Sequence, residues 1–82
     1  MTIIMNAMIE EWFAELLATN NTVDADNLTE TIILDEIEEI KGSIKNEKIW
    51  ALGAPTKSSA AMHLGNIENL EEYIEFLETL LP

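Results

Sequence analysis

The chain is 82 residues long, enough for one domain and too short for two. It holds no cysteine and one histidine, which removes disulfides and thiolate chemistry and leaves little from which to build a histidine metal site. Four lysines stand against 16 acidic residues, a formal charge of −12 with no arginine, so DNA, RNA and anionic membranes should repel it.

Apolar residues make up 48% of the chain, which points to a packed domain and away from a disordered acidic tail. A chain this small buries only about 60% of the surface its unfolded form exposes. With disulfides and metal set aside, self-association is the remaining source of stability. Met1 to Met8 carry no positive charge of the kind that opens a signal peptide. No apolar run approaches the roughly 18 residues of a membrane span. The expectation is a protein of the cytoplasm, with neither nucleic acid nor membrane as a direct partner.

The first helix is expected from about Ile3 to Leu17. Met5, Met8, Ile9, Trp12, Phe13, Leu16 and Leu17 recur at spacings of three and four, with Asn6, Glu10, Glu11 and Glu15 opposite. Its polar face is acidic, the reverse of a helix that lies on a membrane, so the apolar face reads as packing surface. Residues 18 to 26 are rich in Asn, Thr and Asp and read as a loop. Asp24 and Asp26 stand like the first ligands of a calcium loop. The motif then fails, with Leu28, Thr29 and Asp35 where a ligand, a glycine and a glutamate are needed.

A second helix is expected over 27–52, started by Asn27 as cap with Glu30 as its capping-box partner. Ile33, Ile37, Ile40 and Ile44 step by four, three and four, a heptad-like seam. Asp35, Glu36, Glu38 and Glu39 come early and Lys41, Lys45 and Lys48 late, an order that suits the helix dipole. Gly42 weakens the middle and suggests a close approach there. Gly53 is expected in the left-handed conformation that ends a helix, with Pro55 preventing continuation.

Gly53 to Ser59 reads as a turn, and a third helix should follow over 59–81. Its seam is Ile67, Leu70, Ile74, Leu77 and Leu81, with His63 and Ala60 on the same line and Tyr73, Phe76 and Leu80 beside it. Folding back on the short turn sets Ile44 near Ile67, Ile37 near Ile74 and Lys41 near Glu71. The fold class is therefore all-α: an antiparallel helical hairpin plus a short N-terminal helix, assembled as a homo-oligomeric helical bundle because a wide apolar face is left over.

Nothing here reads as an enzyme. The histidine lies on an apolar seam, the carboxylates lie on exposed helix faces, and no glycine-rich phosphate loop is present. No catalytic residue, metal or cofactor is assigned. Two surfaces remain. The turn gathers Trp50, Gly53, Thr56, Lys57, Ser58, Ser59 and His63, and its free N–H groups, hydroxyls, lysine and aromatic face suit a nucleotide-like small molecule. The plain alternative is a capped hairpin with Trp50 in the core and His63 hydrogen-bonded above it. The second surface is the stripe Glu68, Glu71, Glu72, Glu75 and Glu78, which can imitate a phosphate backbone and fill a basic groove on a host protein, or can simply be solvated.

The stretch from Asn46 to Leu81 includes Asn-Glu-Lys-Ile-Trp-Ala-Leu-Gly-Ala, Met62-His63, Asn66-Ile67 and Glu72-Tyr73-Ile74. It resembles small uncharacterised acidic helical proteins of phages and prophages of low-GC Gram-positive bacteria. The resemblance implies an accessory phage protein acting in the host bacterial cytoplasm against host defence. One form of that function is a non-catalytic binder that sequesters a nucleotide-like signal at the 50–63 turn. Another is an acidic nucleic-acid mimic that inhibits a defence protein such as a CRISPR effector. A structural oligomerisation module is the third reading.

Overall fold

A computed structural model describes residues 6–82: α1 (Ala7–Thr19), a 3-10 turn (Ala25–Asn27), α2 (Glu30–Leu52) and α3 (Lys57–Glu78), with no strand among the described residues. The expected start of α1 at Ile3, and Met5 on its apolar face, lie outside them. The molecule is elongated, 43 × 24 × 21 Å.

Each helix begins where a short polar side chain can satisfy a free backbone N–H. Asn6 caps α1, its Oδ1 accepting from the Ile9 N–H at 2.9 Å. The helix runs two residues past the expected end and closes with Asn21 at φ 54. The Thr22 N–H there reaches the Leu17 carbonyl and the Asn21 N–H reaches that of Ala18. This is the left-handed closure that asparagine tolerates better than most side chains.

The start of α2 corrects the expected cap. Asn27 belongs to the 3-10 turn and donates to the Asp24 carboxylate, while Thr29 caps the helix by accepting from the Ile32 N–H. Leu28 decides between them, because its side chain is buried and its backbone is extended, which postpones the helix until Thr29. At the other end Gly53 has φ −93 and is not left-handed. Its N–H closes on the Ile49 carbonyl at 3.2 Å. Thr56 then caps α3, accepting from the Ser59 N–H at 3.0 Å. The third helix thus starts at Lys57, two residues earlier than expected, and ends at Glu78, three earlier.

Packing follows the seams. Ile9 and Leu16 of α1, Leu28 just before α2, Ile33 and Ile37 of α2, and Tyr73 and Leu77 of α3 form one buried core. Trp12 lies 5.5 Å from Tyr73, and Phe13 meets Phe76 edge-on at 4.9 Å. Toward the turn, Ile44, Ile67 and Leu70 form a smaller core with Trp12, Ile40 and Ile74 at its margin. The expected juxtaposition of Ile44 and Ile67 is present. Lys41 does not reach Glu71; its Nζ lies 3.9 Å from Glu38 on its own helix, and both groups are exposed. Gly42 marks no close approach either, since a Cβ built there meets nothing within 4 Å.

At 1.5 Å per residue α1 is about 20 Å long and α2 about 34 Å. The short helix therefore cannot follow the hairpin over its full length. Beyond the second core the hairpin presents Ile49, Trp50, Leu52, Met62 and Leu64 to solvent.

Candidate functional site

The turn does not gather the expected ligand residues into one place. Trp50 is 53% exposed, so it is neither in the core nor enclosed. Its ring lies 5.9 Å from that of His63. The His63 Nδ1 is 2.6 Å from Glu47 Oε2, and Asn66 Nδ2 donates to the same oxygen at 3.4 Å. A carboxylate acceptor assigns the Nδ1 proton to the ring, so His63 donates. Glu47 and Asn66 are the members of this group that lie off the apolar seams.

Thr56 is occupied as the cap of α3. Gly53, Lys57 and Ser58 are exposed, and Ser59 is half-buried. Lys57 and His63 are six residues apart on one helix, which sets their side chains about 120° apart around its axis. The aromatic pair and the lysine therefore face different ways. A phosphate seated beside Trp50 and His63 would also lie near the Glu47 carboxylate, which opposes an anion.

The acidic stripe is intact. Glu68, Glu71, Glu72, Glu75 and Glu78 are all exposed. None of the five is paired with a cation among the described residues. Glu72 accepts a hydrogen bond from Asn6 Nδ2 at 3.2 Å, which ties the stripe to the start of α1. Leu64 and Ile67 join Glu68, Glu71, Glu72 and Glu75 in lining a shallow groove along α3.

Charge is divided along the hairpin. Residues 41–67 hold all four lysines and a single carboxylate, Glu47, a formal +3. The rest of the chain holds the other 15 acidic residues and no lysine, a formal −15.

One carboxylate departs from the solvated pattern. Glu36 is half-buried beside Tyr73, whose hydroxyl donates to it across 3.5 Å. Burial raises the Glu36 pKa above the ordinary glutamate value, and the nearby Glu39 adds to the rise. Burial also raises the Tyr73 hydroxyl, with Glu36 reinforcing it. A groove beside them is lined by Trp12, Glu15, Glu39 and Ile40 among others. Among the described residues, no group of three or more His, Cys, Asp and Glu side chains is arranged to hold a metal ion, and no helix is long and apolar enough to cross a membrane.

No protein-family model, curated protein or solved structure matches the chain.

Proposed function

We propose that the chain is a non-catalytic binding protein that uses the carboxylates of α3 to occupy a basic groove on a partner protein. The observation that carries this reading is the division of charge: a formal −15 outside residues 41–67, with the α3 glutamates exposed and unpaired by cations among the described residues. Unpaired carboxylates on a rigid helix keep their orientation without spending interaction energy inside the molecule. They are available for charge-assisted contacts to lysine and arginine, and their field steers a basic partner toward them. The resemblance of residues 46–81 to phage proteins gives the setting: a counter-defence inhibitor that covers the nucleic-acid surface of a host defence protein, a CRISPR effector among the possibilities.

The test is competition. Labelled DNA bound to each of a panel of nucleic-acid-binding defence proteins is titrated with this protein, and fluorescence anisotropy reports release. The expected result is release from at least one of them, abolished by the combined variant Glu72→Lys, Glu75→Lys, Glu78→Lys. Release by that variant at wild-type concentrations refutes the reading, as does release from none.

A second reading is favoured by one observation, the half-exposed Trp50 whose ring lies tilted 5.9 Å from that of His63 within the lysine-bearing part of the hairpin. There the protein sequesters a nucleotide-like molecule whose base lies on Trp50. Native mass spectrometry with a pool of cyclic and linear nucleotides tests it. A stoichiometric adduct lost in Trp50→Ala supports the reading, and a clean spectrum removes it.

A further inference from the structure

Along α3, residues Lys57, Ala60, Leu64, Glu68 and Glu71 return to the same side of the helix at steps of three and four. Lys57 and Glu71 stand seven residues on either side of Leu64. The stripe therefore runs from cation through apolar residues to anion, and it is complementary to its own reverse. Leu64 is 59% exposed and lies where two grooves meet. One groove, toward the turn, is lined by Lys48, Ala51, Leu52 and Ala60; the other runs down α3 between Glu68 and Glu75. Leu52, on the facing wall of the first, is 91% exposed. Lys57, Glu68 and Glu71 make no ion pair among the described residues.

We propose that a second copy of this chain covers this face, packed antiparallel about a two-fold axis at Leu64. Leu64 then meets the partner's Leu64, and Ala60 faces the aliphatic stem of the partner's Glu68. Lys57 stands opposite the partner's Glu71, about 10 Å from the axis at 1.5 Å per residue. The two-fold repeats that pair on the other rim, as an isologous interface requires. The partner's α3 lies over Ala51 and Leu52 and removes the most exposed leucine of the hairpin from water. Parallel packing would set Lys57 against lysine and Glu71 against glutamate, so the charges select the antiparallel arrangement. Trp50 and Glu78 stay outside the seam, whereas Glu68 and Glu71 belong both to it and to the acidic stripe, and Glu72 lines the groove beside it. Self-association is read by sedimentation and DNA release by anisotropy, so failure of the one is distinguishable from failure of the other.

Sedimentation velocity from micromolar to near-millimolar concentration tests it. Every position changed is exposed or half-buried, and circular dichroism confirms that each variant keeps its helices. Wild type is expected to be a dimer at the upper end of the range, and Leu64→Glu a monomer throughout. Lys57→Glu and Glu71→Lys should each weaken the dimer roughly tenfold, since each puts like charges on both rims. The double variant K57E/E71K should recover wild-type association, because the exchange restores both pairs with reversed sign. A wild type that stays monomeric, an oligomer indifferent to Leu64→Glu, or a double variant no tighter than the singles would overturn the proposal.

Discussion

Replacing Glu47 with alanine removes the only carboxylate in the lysine-bearing part of the hairpin and leaves His63 without its acceptor. The His63 and Glu47 side chains are 17% and 15% exposed, so water replaces the lost contact only in part. A hydrogen bond to a charged group contributes about 1.5–3 kcal/mol, and the residual exposure puts this one near the lower end. The Asn66 contact, at 3.4 Å, adds little. A loss of about 1–2 kcal/mol lowers the melting temperature by roughly 5–12 °C in a domain of this size. The assay is thermal unfolding followed by circular dichroism for Glu47→Ala, His63→Ala and the double variant. The two single losses should exceed the loss in the double variant by about 1 kcal/mol, the coupling expected of directly bonded neighbours. Losses that add to within about 0.3 kcal/mol would refute the idea that the pair fastens the two helices near the turn.

Three further outcomes follow from the same packing. Leu77 is 0% exposed, so Leu77→Ala should cost about 2–5 kcal/mol, read as a lower urea midpoint with an unchanged slope. Gly42 is exposed within α2 with nothing within 4 Å of a built Cβ, so Gly42→Ala should stabilise by about 0.5–1 kcal/mol, read in the same titration. Glu36 has a folded-state pKa above its unfolded value, so the folded protein holds the proton more tightly and stability falls as pH rises through that interval. Glu36→Gln should therefore raise the melting temperature at neutral pH and have progressively less effect as pH falls toward the ordinary glutamate value.

The seams are readable because apolar spacing is set by the helix period; of the residues on the two hairpin seams, Ile33, Ile37, Ile44, Ile67, Leu70 and Leu77 are buried, while Ile40, Ile74 and Leu81 are half-buried at the margin. The helix starts were less readable. Asn27 and Thr29 are both good caps, and only the burial of Leu28 between them selects Thr29. Thr56 competes with Ser58 and Ser59 in the same way; the polar composition suggested a longer turn than the chain forms. The contact between Glu47 and His63 was available from the register that places Ile44 by Ile67, but a search along apolar positions alone does not find it. Trp50 and His63 come within 5.9 Å of each other, and Lys57 stays apart from them for a geometric reason. Nearness in sequence around a turn says little about which side of a helix each residue occupies, and here the helix begins early enough to send Lys57 away from His63.

The measurement that tests the central claim most directly is the ionic-strength dependence of DNA displacement by the wild-type protein. If α3 acts through its carboxylates, displacement from a susceptible partner should be strong at low salt and weaken steeply as the Debye length falls from about 10 Å at 0.1 M toward about 3 Å at 1 M. Displacement of equal strength across that range would mean that the acidic face does not carry the interaction.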